Sequence, residues 1–581
     1  MNKQTETIDL YAVEYSMAGY LLELIDSAIW LSKNSKLDNL NKINIILLPK
    51  PINYTRNSLL KDLFVKLFSV IPEKKIQLYQ NNLKILFNFK IIQRYEFNKK
   101  ILILLDKMLN FSKEAKIKNQ NSFFNLISKK KKVSFNIENI QIDIFKKKYH
   151  KLELIKNLII STITAIRLYY TCYTKLKFNS QKFLNLHDEQ IHIGDLIASF
   201  NVRINPSHGG QFKSSFGLFI DLINGLYLNR LASNLKLSNK KNQYINPSEP
   251  FYSHHIWVRN LLYRGMFLLQ RHNPLKKYEI LDVNSYHNPW IAKKPQQDLF
   301  DRDRAIMHLN QRIFEPTKII DSFSKSNFVN NNSEKNLYDD NGNKLIFSNE
   351  ELFVTIFLHD FSDALYADGL DGFNDLSDWT SFTIDKLLEN TNIKKVCIKS
   401  HPSADFISSR ANIIAYKIIK KKYYNNHKII FLNKNSSIVS LSAHNFFCGI
   451  THHGNIALEL THLDIPVIAW INGPWGEYYN FLNKWDHKTD YENILLNLKK
   501  ENCNKPGLKE KDDLYKYIDN YELERIKPEK KSLRLFITSE ISGYFRGNHL
   551  DYEKIVKELN TEDYLFREII NQIYRRVYSK R

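Results

Sequence analysis

The 581-residue sequence predicts an α/β protein of two parallel-sheet domains, with a basic, partly helical insertion in the first and a helical tail after the second. Three observations predict it. Short apolar runs alternate with amphipathic stretches from residue 8 onward, the rhythm of β-α-β units and parallel sheets. That rhythm lapses at residues 324–347, where Asn330-Asn331-Asn332-Ser333 and Asp339-Asp340-Asn341-Gly342-Asn343 are turn-forming, and it restarts at Leu352. Three apolar runs after the restart end in polar, histidine-bearing loops, and ligands of open α/β sheets bind beyond such strand ends.

Residues 8–13 read as a strand, 16–19 as its connecting loop and 20–32 as an amphipathic helix. A strand at 43–48, a helix at 59–70 and a strand at 83–92 continue the alternation. Residues 110–150 are lysine-rich and less periodic, and read as an insertion. A long helix follows at 152–175. Residues 194–202 lead through the loop Asn205-Pro206-Ser207-His208-Gly209-Gly210-Gln211 into a helix ending near Leu231. Residues 252–271 suggest a turn into a helix, and 278–283 a strand. These expectations set a first domain over 1–323, its insertion at about 110–190, a linker over 324–347, a second domain over 348–500 and a helical segment over 501–581.

Composition narrows the function classes. Hydrophobic residues at 43% and aromatics at 13% supply large cores, and the net charge is +23. The lysine excess is spread along the chain, with its densest clusters at 129–132, 146–148 and 420–422. The ordinary reading of such clusters is a solvated face, and the functional alternative is contact with anionic lipid. No arginine-rich arm, helix-turn-helix or aromatic-basic RNA-binding signature stands out, so nucleic acid is not an expected partner. Cys172, Cys397, Cys448 and Cys503 are widely spaced, which implies neither a zinc site nor a disulfide framework and suits a reducing cytoplasm. The first nine residues are unlike a signal peptide, and no uncharged apolar run reaches the ~18 residues that span a bilayer. A cytoplasmic protein is expected, soluble or peripheral on the inner face of the membrane.

The second half carries the candidate chemistry. An apolar run at 446–450 ends in Thr451-His452-His453-Gly454-Asn455, and a helix bearing Glu459 begins. Glycine at a strand-to-helix junction lets backbone N–H groups approach an anion at the helix N-terminus. The two imidazoles add donors, and Glu459 can accept bonds from sugar hydroxyls. The strand at 394–399 ends in Lys399-Ser400-His401-Pro402, where Lys399 and His401 can neutralise phosphate; a helical segment follows to about 422. The run at 352–358 ends in His359-Asp360-Phe361-Ser362-Asp363, with an Asp378-Trp379 helix beyond. Asp360 and Asp363 could orient a substrate, or could cap a helix or form a turn. Asp301-Arg302-Asp303 has the form of a metal-nucleotide motif but follows no apolar strand, and reads as solvated charge. The glycine spacing of a dinucleotide fingerprint and the P-loop lysine pattern are absent.

The order and spacing of His359-Asp360…Ser362-Asp363, Asp378-Trp379, Ile398-Lys399…His401-Pro402, His453-Gly454…Glu459 and Ile465-Pro466-Val467-Ile468 resemble those of bacterial capsule and surface-polysaccharide glycosyltransferases. The resemblance covers residues 350–485 and extends to Ile193-Gly194-Asp195-Leu196-Ile197 and Arg203. It implies a GT-B-like fold of two facing Rossmann-like domains, with residues 563–578 crossing back onto the first. It implies sugar transfer from a nucleotide-activated donor to a glycan or lipid-linked acceptor, with no cofactor beyond the donor. Glycosyl transfer needs charge stabilisation on the departing phosphate, a grip on the nucleotide, and a base near the acceptor hydroxyl. Lys399, His401 and His453 could supply the first without a metal, and Gly454, Asn455 and Glu459 the second. Asp195 is the first choice of base, on the resemblance and on a strand-like setting. A turn-capping role for Asp195 stays open, His208 is the runner-up, and Asp360 is a third candidate. His359, Ser362, Asp363 and Arg203 are expected elsewhere in the cleft. Retaining GT-B enzymes carry a second glutamate where Val467 stands here. Alternatives are a CDP-polyol or glycerophosphate-type transferase, a sugar-nucleotide epimerase, and a non-catalytic scaffold at the membrane surface.

Overall fold

The computed structural model describes residues 6–13, 27–31, 40–48, 133–146 and 151–523, save 29, 138–139, 147–150, 236, 238–241, 247–254, 271–278, 286–290, 293–298, 315–335, 348–352, 363–364, 367–368, 402–408, 434–435, 443, 445 and 504. The elements expected at 59–70, 83–92 and 563–578, together with Asp363 and Pro402, lie outside the described residues.

The chain opens with strands β1 (Glu6–Val13) and β2 (Leu40–Leu48), paired in parallel. Ile8, Leu10 and Ala12 alternate into the core opposite Ile43 and Ile45, as period-two burial requires. Strands β3 (Val133–Ile137) and β4 (Ile140–Lys146) then form a hairpin, and β4 pairs in parallel with β2. Part of the segment read as an insertion therefore belongs to the first sheet. Its pattern, Ile140, Ile142 and Ile144 alternating with Gln141 and Asp143, is a strand pattern set among lysines.

A helical layer follows. It comprises α1 (Lys151–Thr171), the hairpin β5 (Tyr173–Thr174) and β6 (Lys177–Phe178), and α2 (Ser180–Leu184). The small hairpin β7 (His187–Asp188) and β8 (Ile191–His192) leads into α3 (Gly194–Ile204), and α4 (Phe216–Ser233) closes the layer. Ser215 caps α4 by accepting from Leu218 N–H at 3.1 Å. Strands β9 (Gln243–Ile245), β10 (Phe267–Gln270) and β11 (Glu279–Leu281), with α5 (Ile256–Tyr263) between β9 and β10, complete the first sheet in the order β11-β10-β9-β1-β2-β4-β3.

Helix α6 (Arg302–Phe314) and the hairpin β12 (Leu337–Tyr338) and β13 (Lys344–Leu345) precede the second sheet. The hairpin lies in the segment read as linker, yet it is docked: Asp340 N–H donates to Phe431 O at 2.9 Å, and Asn433 N–H to Tyr338 O at 3.0 Å. The second sheet comprises β14 (Phe353–Phe357), β15 (Lys395–Lys399), β16 (Ile429–Phe431), β17 (Phe446–Ile450), β18 (Val467–Trp470) and β19 (Asn483–Trp485). Helices α7 (Leu376–Glu389), α8 (Ser409–Tyr423), α9 (Ile438–Ser442) and α10 (Ile456–His462) lie between these strands, and α11 (Lys488–Leu496) and α12 (Leu508–Tyr517) follow β19. All neighbouring strands of this sheet are parallel. Their order is β16-β15-β14-β17-β18-β19, which counted from β14 is the Rossmann order 3-2-1-4-5-6.

Both faces of this sheet are apolar, as in a parallel sheet covered on two sides. Phe353, Phe357, Cys397, Phe446 and Ala469 pack with α6, α10 and α12. Val354, Ile356, Val396, Ile398, Ile450 and Trp470 share a second core with α7. That second core also contains Phe183, Leu196, Ile197, Leu218 and Leu222 of α2, α3 and α4. The helices read as part of the first domain are thus continuous with the second sheet.

Candidate functional site

Strand β14 is the first of its sheet and β17 the fourth, so the chain's lateral progression reverses between them. Loops leaving the carboxyl ends of two such strands diverge and open a crevice. His359 follows β14, Lys399 ends β15, His401 lies two residues on, and His452 and His453 follow β17. Three adjacent strands therefore deliver four imidazoles and an ammonium to one edge. The His359 and His453 rings lie 3.8 Å apart by centroid, and His359 and His401 6.0 Å apart.

Gly454 permits this turn for a steric reason. A Cβ there would lie 2.7 Å from Thr451 Oγ1, inside contact distance. Behind the turn runs a hydrogen-bonded chain. His452, fully buried, places Nε2 2.5 Å from Asp371 Oδ2 and Nδ1 2.6 Å from His453 Nδ1. An ionised carboxylate only accepts, so His452 donates from Nε2. His453 Nδ1–H can then donate to His452 Nδ1, which leaves Nε2 as the open nitrogen of neutral His453. Asp371 is itself held by Phe373 N–H at 2.8 Å. Trp379, Trp470 and Trp485 surround the His452 ring at 5.4, 5.0 and 5.6 Å.

Burial sets the electrostatics. It pushes Lys399 down to about 8. It pushes His401 down to about 4, aided by His359 and Lys399 and opposed by Asp360. His453 falls well below the ordinary imidazole value, first by burial and then by His359, His452 and His401. Near neutral pH His401 and His453 are uncharged. In the unliganded chain burial therefore disfavours charged imidazoles at the strand ends, and Lys399 carries the charge there.

Other expected residues fall in different places. Asp195 sits in the first turn of a helix, not in a strand-like segment. Arg259 grips it with two bonds, to Oδ1 at 2.8 Å and Oδ2 at 2.6 Å, and His192 Nδ1 stands 3.6 Å from Oδ1. A buried carboxylate held on both oxygens by a guanidinium is a structural ion pair, which corrects its expected role as base. Glu459 is likewise buried and accepts from Arg312 Nε of α6 at 2.7 Å, so its expected role with sugar hydroxyls is also corrected. Arg203 is exposed on the last turn of α3. Asn455 is exposed at the start of α10. Asp360 accepts from Ser362 N–H at 3.0 Å and Oγ–H at 2.9 Å, a turn that shapes the β14 loop. His208 ends a single 3₁₀ turn, Pro206–His208. The following loop abuts this edge: a Cβ on Gly210 would come within 2.5 Å of Phe361 Cβ, and Phe212 N–H donates to Asp375 Oδ2 at 2.8 Å. Asp301 caps α6 by accepting from Arg304 N–H at 3.0 Å, and Arg302 pairs with Asp512 at 2.6 Å. Among the described residues no group of three His, Cys, Asp or Glu could hold a metal ion.

Sequence reasoning missed Asp371 and the inward role of His452. A signal existed: Asp371 stands between Gly369 and Gly372, both at positive φ, in the long loop after β14. A carboxylate flanked by two such glycines is a fixed turn, yet nothing local names its partner 81 residues away.

No family model matches the chain, and no curated protein matches it. Solved structures similar to it include one described as trehalose-6-phosphate from E. coli bound with UDP-2-fluoro glucose, at 7% identity over 92% of this chain and 99% of that one. Another is an alpha,alpha-trehalose-phosphate synthase (UDP-forming) from Burkholderia xenovorans in complex with glucose-6-phosphate, at 8% identity over 68% and 89%. The N-terminal domain of a Candida albicans trehalose-6-phosphate phosphatase matches at 9% identity over 93% and 98%. Their TM-scores are 0.23, 0.24 and 0.22, too low to carry an argument about this chain.

Proposed function

We propose that the chain is a metal-independent glycosyltransferase that moves a sugar from a nucleotide-activated donor to a growing surface glycan such as a capsule or lipopolysaccharide. The observation that carries the proposal is the convergence of Lys399, His401, His359 and His453 on the switch point of a Rossmann-ordered sheet. The resemblance of the same loops to surface-polysaccharide transferases supports the reaction class.

In this reading Lys399 stabilises charge on the departing phosphate, and burial strengthens that interaction by excluding water. Glycosyl transfer breaks the bond from the sugar anomeric carbon to phosphate oxygen and forms one to the acceptor oxygen, whose proton needs a base. His453 meets that requirement with an open Nε2, its tautomer fixed by His452 and Asp371. Asp360 remains a candidate for orienting the acceptor, and His208 a second candidate base. Gly454 and Asn455 bring backbone N–H groups to the nucleotide side.

Thermal melts of the full chain with CMP, CDP, UDP and GDP test the reading. A ligand at about 100 times its Kd adds about 2.7 kcal/mol, so one nucleotide should raise Tm and the others much less. His401→Ala should cut that shift while leaving the ligand-free melt cooperative, and transfer should persist in excess EDTA. No shift with any nucleotide, or an equal shift in His401→Ala, would overturn the proposal.

A further inference from the structure

Helix α1 carries an apolar stripe on its outer face. Its buried positions are Asn157, Ser161 and Ala165, spaced four apart along the face that packs on α4. Its exposed face carries Leu152, Ile159, Ile163, Ile166 and Tyr170, with Ile163 63% exposed. A globular helix turns its large apolar residues inward. Here the fully buried positions are small or polar, Leu158, Leu168 and Tyr169 pack half-buried beside them, and a further apolar stripe faces out.

The β5–β6 hairpin repeats the anomaly. Its two-residue turn is Lys175-Leu176, with φ of 49° and 63°. Left-handed backbone at both positions calls for Asn or Gly, and leucine there is a conformational cost. Leu176 is 97% exposed and flanked by Lys175 and Lys177. The hairpin is anchored to the rest of the layer: Tyr169 and Tyr173 hydroxyls both meet Ser214 Oγ, at 2.7 and 2.6 Å. Exposed Phe216 follows two residues later.

The charges on this surface choose its occupant. Residues 151–182 contain Lys151, Lys156, Arg167, Lys175, Lys177 and Lys182 against one carboxylate, the half-buried Glu153. A second copy docked through the same helix would bring these cations together with Glu153 as their one carboxylate. A surface that takes apolar side chains and also presents anions fits both features. We propose that the α1 face and the Lys175-Leu176 hairpin tip dock on an anionic lipid bilayer. The apolar stripe enters the headgroup–acyl boundary while the lysines meet lipid phosphates. Among the described residues no helix is long and apolar enough to cross a membrane, so the contact is interfacial. The loop from Gly209 to Phe212 joins this surface to the edge bearing His359. The inference stands independently of the transferase reading.

Sedimentation of the full chain with phosphatidylcholine vesicles, and with the same vesicles containing phosphatidylglycerol, tests it. Binding should require phosphatidylglycerol and weaken with salt. Leu176→Ser should weaken binding by about tenfold, and Lys175→Gln with Lys177→Gln by about thirtyfold, with melting temperature and nucleotide response unchanged. Ile163→Ser, at an exposed site, is the second apolar probe. Absence of binding to the anionic vesicles, or binding equal across all variants, would overturn the proposal. So would a dimer in solution that Ile163→Ser dissolves, since that assigns the face to a second copy. Loss of vesicle binding with an intact nucleotide shift would remove this inference and leave the transferase reading in place.

Discussion

At the scale of single residues, the site works through what burial does to charge. Lys399 is a strand-end lysine whose ammonium is pushed down to about 8, so it is mostly protonated at pH 7 and loses its proton just above. A bound diphosphate favours the ammonium and raises its pKa, so binding must take up a proton when performed near pH 8. Nucleotide affinity should therefore fall as pH rises through about 8, and calorimetric binding enthalpies there should vary with the ionisation enthalpy of the buffer. Lys399→Met should remove both dependences and weaken binding. A flat affinity between pH 7 and 9 in the unaltered protein would show that Lys399 does not face the nucleotide. The same burial keeps His401 neutral, with the opposite experimental sign: below pH 6.5 the unfolded chain takes up a proton that the folded His401 refuses until about pH 4. Stability should be full above pH 6.5 and decline toward pH 4.

Among the elements, short-range packing explains what the motifs could not. Gly194 belongs to the Gly-Asp-Leu segment that resembles the transferases, yet its local reason is a close approach. A Cβ there would lie 2.0 Å from the carbonyl oxygen of Phe183, so α3 abuts α2 only with glycine. Gly194→Ala should cost about 1–3 kcal/mol, read as a lower denaturant midpoint; an unchanged midpoint would contradict that contact. Strands β14, β15, β17 and β18 were legible because each is a run of apolar residues closed by turn residues, and the run at 446–450 coincides with its strand; β16 and β19 were not, being three residues each, the latter Asn-Lys-Trp. Strand β4 was not, because its alternation of isoleucine with Gln141 and Asp143 is short and set among lysines. The cluster of His359, Lys399, His401 and His453 was legible because parallel topology brings successive strand ends together. The ion pairs Asp195–Arg259 and Glu459–Arg312 were not, because their partners come 64 and 147 residues away in sequence and no local pattern couples them.

Across the whole molecule, the core shared by the second sheet with α2, α3 and α4 makes the sequence boundary near 324–347 a poor place to cut. A fragment starting at residue 336 would keep the sheet but leave one face, including Val354, Ile356, Val396 and Ile398, without much of its cover. Each large apolar side chain so exposed forfeits about 1.5–3 kcal/mol. Expressed alone, residues 336–523 should aggregate or bind hydrophobic dyes, whereas a version extended back to 151 should melt cooperatively. A soluble, cooperatively melting short fragment would show that the helical layer is dispensable.

The indole cage around His452 has an optical consequence. Three of the chain's seven tryptophans, Trp379, Trp470 and Trp485, have their rings within 5.6 Å of that one imidazole. Indole emission responds to the packing and polarity of its surroundings. A nucleotide that settles against these strand ends and moves the His452 ring should therefore change intrinsic fluorescence. That change should be readable, without a label, in a stopped-flow trace before any product is assayed.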